Sequence, residues 1–176
     1  MTTNLKSLIG KLDDTARKAL EGGAGLCLSQ THYEVDIEHV LAKLLEADDT
    51  DLQRVLRHYD INASHLQRDL TNALQKFRSG NTRTPVLSPR LPKLFERAWL
   101  AASIDHGSAK IRSGHLLLAL LEDPELSRLM RDTTRQFEDI QLDDLRARLA
   151  DITEGSGEAR EAPPAHAAAE RPAPGG

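Results

Sequence analysis

Two histidines at matching positions are the first candidates for chemistry in this sequence. His39 lies in the segment Asp36–Glu46, and His115 lies in Arg112–Glu122, which is a near copy of it. A metal or catalytic site would need partners at fixed spacing, and the chain has no His-Glu-x-x-His or Gly-x-Ser-x-Gly motif. Each histidine instead follows a helix start, where its ring can bond a loop carbonyl and hold the turn. We therefore predict a structural role for both rings, with no metal site and no catalytic residue.

Cysteine and glycine supply two further candidate sites, and both have simpler explanations. Cys27 lies between Leu26 and Leu28 without a basic neighbour to lower the pKa of its thiol, which favours an apolar filler over a nucleophile. The run from Gly22 to Gly25 is similar to a phosphate loop only in part. It lacks the Lys-Ser/Thr that follows such a loop, and no strand precedes it. The run therefore favours close helix packing over phosphate binding.

The repeat that contains the two histidines predicts the architecture. Leucines recur in both copies at positions that a 3.6-residue period brings onto one stripe of a helix. We predict an all-α fold of two pseudo-symmetric four-helix repeats, about residues 12–80 and 85–152, that share one core. An extra N-terminal helix at residues 4–10 has no counterpart in the second half. Residues 1–152 form the domain, and the Gly-, Pro- and Ala-rich residues 153–176 form a flexible, disordered tail.

Composition narrows the class of protein. The chain has 176 residues, of which 39% are hydrophobic and only 3% aromatic, so leucine and alanine must fill a core of helices. A net charge of −4 offers no basic surface for nucleic acid or for an anionic membrane. No apolar run approaches the roughly 20 residues of a membrane span, and the start lacks the pattern of a secretory signal. We therefore expect a cytoplasmic protein that binds neither nucleic acid nor membrane.

The leading helix is the most ambiguous element. Its apolar residues follow the i, i+3, i+4, i+7 pattern and are Leu5, Leu8, Ile9 and Leu12. About two turns of helix are unstable alone, so this helix must lie on the next one. That next helix has a face of small residues, Ala16, Ala19 and Gly23, which leaves space beside it. The leading helix either closes one end of the core or forms one wall of a groove that accepts an amphipathic helix. On the residues alone, both alternatives stay open.

Val86 and Leu87 are the second candidate for such a groove. They lie between Thr84-Pro85, which holds the backbone extended, and Ser88-Pro89, which starts a helix. Because they precede that helix, they either plug the seam between the two halves or stand at the surface as a hydrophobic lip. The joining loop returns the chain towards the start of the first half. We therefore predict that Val86 and Leu87 form the second wall of the groove.

The paired repeats resemble a known family. Glu-His-Val-Leu at 38–41 and Gly-His-Leu-Leu-Leu-Ala-Leu-Leu at 114–121 are similar to motifs of the N-terminal domain of the Clp/Hsp100 unfoldases. The resemblance covers about residues 12–152. Within this family the chain is most similar to the N-domains of ClpV, the ATPase of type VI secretion. Besides the extra leading helix, the segments behind this choice are Arg17–Leu20, Gly25–Cys27, His32–His39, Pro85–Pro89 and Ala98–Ala102.

The resemblance implies a recognition domain rather than an enzyme. ClpV proteins disassemble the contracted type VI sheath, and this domain is implied to grip an amphipathic helix near the N-terminus of the large sheath subunit. The chain lacks the Gly-x-x-x-x-Gly-Lys-Ser/Thr motif of an ATPase. ATP and magnesium are therefore expected in modules outside it, and no cofactor within it. The resemblance further implies a monomeric isolated domain and a hexameric full-length protein.

Two other functions stay as hypotheses. The N-domain of a ClpB-like disaggregase would share the fold and bind exposed hydrophobic segments of unfolded proteins. A titration with a sheath helix and with an unfolded protein separates this function from the first. A small hydrolase built on His39 or His115 finds no support in the spacing of the residues. An activity that is lost in a folded His39→Ala variant would revive it.

Overall fold

Helices make up most of residues 4–161, the part of the chain that the computed structural model describes. A leading helix precedes two repeats of four helices, and a short last helix follows them. The first half contains α1 (Leu5–Lys11), α2 (Asp14–Ser29), α3 (Ile37–Glu46), α4 (Asp51–His58) and α5 (Ala63–Gln75). The second half contains α6 (Arg90–Leu100), a π-helical turn (Ala101–Asp105), α7 (Ser113–Glu122), α8 (Pro124–Thr133), a 3-10 helix (Gln136–Asp139), α9 (Leu142–Ile152) and α10 (Gly157–Glu161). The predicted fold of two four-helix repeats is confirmed.

The helix α7 lies at the centre of the fold, as its apolar composition predicts. Every residue from Ser113 to Leu120 is buried, and the helix packs against α4, α6, α8 and α9. Because α4 belongs to the first repeat, the two halves share one hydrophobic core. Although α7 is apolar, neither it nor any other helix in residues 4–161 is long and apolar enough to cross a membrane.

Polar side chains begin several of these helices. A side-chain oxygen of Asp13, Thr50, Asn62 and Asp123 accepts a hydrogen bond from a backbone N–H in the first turn of α2, α4, α5 and α8, respectively. The first N–H groups of a helix have no partner within it, so each cap satisfies a group that would otherwise be orphaned. One such cap contributes about 1 kcal/mol of stability.

A two-stranded parallel sheet joins the two halves and was not part of the all-α prediction. The strands β1 (Glu34–Val35) and β2 (Val86–Leu87) are paired residue by residue. The Val86 N–H donates to the Tyr33 carbonyl at 3.2 Å. The extended backbone next to Pro85, which the sequence predicts, thus finds its hydrogen-bond partner in the first repeat.

The folded part of the C-terminus extends further than we predicted. We expected a flexible tail from Thr153 onwards, but Thr153 and Glu158 are buried and Gly157–Glu161 forms α10. Gly155, with a φ of 76°, turns the chain between α9 and α10. The composition was misleading because these residues bury hydrogen-bonded polar groups rather than apolar ones. The rest of the predicted tail, residues 162–176, lies outside the described residues.

Candidate functional site

The two repeat histidines each hold a helix start through one ring nitrogen. His39 Nδ1 accepts a hydrogen bond from the Asp36 N–H at 2.9 Å, and His115 Nδ1 accepts one from the Arg112 N–H at 3.0 Å. Each ring thus takes the position of the Glu or Gln in a capping box. We predicted a carbonyl as the partner, and this detail is wrong, because the groups in need of a partner at a helix N-terminus are N–H donors.

Burial keeps both rings neutral. The relative exposure of His39 is 0% and that of His115 is 4%. Burial, together with the neighbouring rings of His32 and His106, lowers the pKa of each histidine to about 4. A neutral ring is what the capping bond requires, since an imidazolium has no lone pair to accept an N–H.

Cys27, His32 and His39 form a buried cluster whose potential ligand atoms lie within 4.8 Å of one another. Because His39 Nδ1 accepts an N–H, the ring proton lies on Nε2, which is 2.9 Å from His32 Nδ1. A metal ion at Nε2 would have to displace this proton and break the helix cap. Burial also raises the pKa of the Cys27 thiol, and the thiol is a poorer ligand than the thiolate. These contacts favour a hydrogen-bonded core cluster, in line with the predicted filler role of Cys27.

The leading helix closes part of the core and also keeps two apolar side chains at the surface. Leu8 and Leu12 are each 3% exposed and belong to the core, so they are not available to a partner. Leu5 and Ile9 are only half-buried and reach the surface. We expected α1 to lie on α2, but its main packing partner is α6 of the second half.

Backbone and side-chain contacts fasten α1 to that second half. The Ile111 N–H donates to the Lys11 carbonyl at 2.7 Å, and the Asp13 N–H donates to the Ile111 carbonyl at 2.9 Å. Lys11 Nζ lies 4.8 Å from the centre of the Trp99 ring on α6. A helix of seven residues, which is too short to be stable alone, is thereby held in place.

The small-residue face of α2 mainly packs on α3, although Ala19 also borders an open cavity of about 360 Å³ beside Lys18 and Lys43. Ala16, Ala19 and Gly23 are buried, and α3 packs on α2. A Cβ atom added at Gly23 would lie 3.2 Å from the backbone carbonyl carbon of His39. The space beside Gly23 is thus filled by α3, and a partner helix cannot enter there. This close approach is the packing role that we predicted for the run from Gly22 to Gly25.

Val86 and Leu87 divide between them the two roles that we considered for both. Val86 is 62% exposed, whereas Leu87 is half-buried and packs against the core. Successive residues of a strand point to opposite sides, so only one of the two can face the solvent fully. Val86 is therefore a surface lip, and Leu87 mainly plugs the seam.

Three side chains on and after α6 were not among the predicted site residues. Trp99 is half-buried beside Lys11, while Leu100 is 47% and Ile104 is 74% exposed. Leu100 ends α6 and Ile104 lies in the π-helical turn after it, and neither belongs to the buried stripe of Leu91, Leu94, Phe95 and Ala98. Apolar residues outside such a stripe are a sequence signal for an exposed apolar surface. We define the α1 surface as Leu5, Ile9 and Trp99, the partly exposed apolar side chains of α1 and of the helix on which it packs.

A cavity of about 350 Å³ lies elsewhere, in the second repeat. Its lining includes Met130 on α8, Phe137 on the 3-10 helix and Ile140 before α9. The 3-10 helix has no counterpart between α4 and α5 of the first repeat. This cavity, which Arg131 and Glu138 also line, is the alternative to the α1 surface as a location for the peptide.

The geometry of the two repeats can be compared with known proteins. The family model of the Clp repeat (R) N-terminal domain matches residues 11–133. The chain belongs to this family. The Clp N-domain described here is 34% identical over 162 residues to the chaperone protein ClpB of Yersinia enterocolitica, which covers 92% of this chain and 18% of that protein. It is 28% identical over 152 residues to the AAA+ ATPase ClpV1 of Pseudomonas aeruginosa, which covers 86% of this chain and 17% of that protein.

A solved complex of a ClpV N-domain with a VipB peptide has the same fold. Its TM-score to this Clp N-domain is 0.77 at 30% sequence identity, with coverage of 90% of this chain and 96% of that one. The chain thus spans less than a fifth of its curated relatives but nearly all of a ClpV N-domain.

Proposed function

We propose that this Clp N-domain recognises an amphipathic helix of the large type VI sheath subunit through the α1 surface. The observation that carries the proposal is that α1 is fastened to the second half while Leu5 and Ile9 still reach the surface. A partner helix can lay its own apolar residues, spaced i, i+3 and i+4, against such a surface. The VipB peptide bound by a similar ClpV N-domain supports a peptide ligand.

Recognition of this kind is expected to be modest in strength. Three or four apolar anchors carry most of the affinity of a short helix, which corresponds to a dissociation constant on the order of 1–100 μM. In a hexamer several N-domains act on one substrate, so that avidity compensates for the weakness of each contact. The domain itself is non-catalytic and monomeric in isolation, and ATP hydrolysis with magnesium takes place in modules of the longer protein.

The second candidate function is the recognition of unfolded proteins, as in a disaggregase. The 34% identity to ClpB favours it, and the exposed side chains of Leu100 and Ile104 fit non-selective apolar contacts. The two functions differ in selectivity. A recognition domain for one helix prefers a defined amphipathic pattern, whereas a disaggregase domain accepts any exposed apolar segment.

A direct titration separates the two functions. We expect the VipB peptide to bind the full chain at micromolar concentration, and reduced, carboxymethylated α-lactalbumin to bind at least tenfold more weakly. The matched control is a VipB peptide of the same composition in scrambled order, which cannot form an apolar stripe. Equal affinity for the peptide, its scrambled form and the unfolded protein would favour the disaggregase function.

We further propose that the bound helix extends from the α1 surface over Val86, so that Val86→Glu weakens peptide binding by about 2 kcal/mol because its carboxylate faces apolar side chains of the partner. Since Val86 is 62% exposed, the melting temperature should change little. The matched control is Leu87→Glu, which places the same charge one residue further on, against the core. That variant should melt at a clearly lower temperature. Unchanged binding by folded Val86→Glu would exclude Val86 from the binding surface.

A further inference from the structure

The segment 111–113, which leads into α7, is hydrogen-bonded to the end of α1 on one side and to α10 on the other. On one side Ile111 exchanges two backbone hydrogen bonds with the chain that follows α1, through the Lys11 carbonyl and the Asp13 N–H. On the other side the Ser113 N–H donates to Glu158 Oε1 on α10 at 2.7 Å. The leading helix and the last described helix therefore meet on one short segment, although they lie at opposite ends of the domain sequence.

Glu158 is the centre of the contact on the α10 side. Its side chain is 1% exposed, and its Oε2 accepts a hydrogen bond from the Asp51 N–H at 2.7 Å. The Ser113 hydroxyl donates to the same oxygen. Asp51 begins α4 and Ser113 begins α7, so one carboxyl group caps a helix from each repeat. Helix N-termini favour such an acceptor through their free N–H groups and their dipole.

A second carboxyl group connects α10 directly to the end of α1. Asp13 is 5% exposed, and its Oδ1 accepts from the Ala16 N–H at 2.8 Å. Its Oδ2 is buried without an N–H or hydroxyl donor, and the Glu158 carboxyl group faces the Asp13 side chain. Burial and the charges of Asp51 and Asp13 raise the pKa of Glu158 to about 9. Burial thus favours the protonated form of Glu158, whose carboxyl group faces that of Asp13.

We call the hydrogen-bonded group of Asp13, Asp51, Ser113 and Glu158 the junction. Further contacts keep the junction in one arrangement. Arg112 donates two hydrogen bonds to the Asp51 carboxylate, at 2.8 and 2.7 Å, and the Ser156 hydroxyl donates to Asp51 Oδ1 at 2.6 Å. Arg54 donates to the carbonyls of Glu154 and Gly155 at 2.9 and 3.0 Å. The turn before α10 is therefore anchored to both repeats. Because Asp51, Ser113 and Glu158 are each held by several hydrogen bonds, this buried network has few alternative arrangements.

We propose that this junction couples the α1 surface to α10: anchoring of α10 through Glu158 holds α1 in its binding position, and a bound helix in turn tightens the anchoring of α10. The second half of this statement rests on the proposed function, whereas the first concerns the free protein. By linkage, the two effects have the same coupling free energy. The coupling thus links recognition to the C-terminal end of the described residues, at Glu161.

Two variants of Glu158 test the coupling in the free protein. Glutamine keeps the length of the side chain and one oxygen acceptor, but its NH2 group faces the backbone N–H of either Ser113 or Asp51, since each N–H donates to a different oxygen of Glu158. Alanine removes all of these contacts. In the full chain we expect Glu158→Ala to speed hydrogen exchange at the amides of Leu12 and Asp13 at least tenfold, with little change at Leu70 in the core of α5. Glu158→Gln, which loses one of the two backbone contacts, should speed exchange at Leu12 and Asp13 less than Glu158→Ala does.

The same variants test the coupling to recognition. We expect Glu158→Ala to bind the VipB peptide about tenfold more weakly than wild type, and Glu158→Gln to lose less affinity than Glu158→Ala. Unchanged exchange at Leu12 and Asp13 in Glu158→Ala would overturn the coupling, because α1 would then be held without Glu158. An equal rise at Leu70 would also overturn it, because the variant would then destabilise the whole domain. If the wild-type chain fails to bind the peptide, the proposed function is wrong, while the exchange rates still decide whether α10 holds α1.

Discussion

An Ile9→Asp variant is expected to lose binding of the VipB peptide almost completely, by about 3 kcal/mol or roughly 100-fold. Ile9 lies on the leading helix and is half-buried, so a partner helix would complete its burial. An aspartate there must either lose its hydration or keep the partner away, and both cost more than the loss of one apolar contact. Isothermal titration calorimetry with wild type and variant measures the difference.

Two neighbours of Ile9 on the same helix serve as controls. Ser7 is exposed, so Ser7→Asp adds the same charge without touching the apolar side of α1 and should bind as wild type. Leu8 is 3% exposed, so Leu8→Ala should lower the free energy of unfolding by about 2–3 kcal/mol. Deletion of residues 1–11 is the poorer test, since it would remove the buried Leu8 together with the surface. Equal loss of binding in Ser7→Asp would mean that charge on α1, and not the apolar contact of Ile9, governs recognition.

Mild acid is expected to destabilise the domain through its two capping histidines. Each has a pKa of about 4 in the folded protein, against an ordinary value of 6.5. Below pH 6.5 the unfolded chain binds protons that the folded protein excludes until about pH 4, so the free energy of unfolding falls through this window. At pH 5 the loss amounts to about 2 kcal/mol for each histidine, relative to pH 7. Chemical denaturation at a series of pH values measures it.

The matched variant for this prediction is His115→Gln. Glutamine at this position can accept the Arg112 N–H as the capping box requires, but it does not titrate. Its unfolding free energy should therefore depend less steeply on pH between 6.5 and 4 than that of wild type. The raised pKa values of Glu158 and Asp13 act in the opposite direction, but they are common to both proteins and cancel in the comparison. Identical pH dependence would mean that the His115 ring is not held neutral.

Much of the fold follows from patterns that are local in the sequence. The doubled segment around His39 and His115 predicts two similar halves, and the apolar run after His115 predicts the central helix. Helix starts follow from single polar residues such as Asn62, because an N-cap depends on the next three residues only. The exposure of Val86 against the burial of Leu87 follows from the alternation of a strand, once the strand itself is recognised.

The contacts that shape the candidate site are long-range and polar, and hydropathy does not reveal them. That α1 packs on α6 depends on the pairing of the chain near Leu12 with Ile111, about a hundred residues away. That α10 is anchored depends on Glu158, which looks like a solvated residue in a Gly- and Ala-rich segment. The small residues of α2 were correctly predicted to allow close approach, but the approaching helix is α3 and not a ligand.

The most direct test of the central claim is to locate the peptide on the domain. We would titrate the 15N-labelled full chain with the VipB peptide and follow the backbone amide signals. We expect the largest shifts at Leu5 to Lys11 of α1 and around Trp99 and Val86, with smaller ones at Ser113 and Glu158. Shifts concentrated at Met130, Phe137 and Ile140, which line the cavity of the second repeat, with an unperturbed α1, would contradict it.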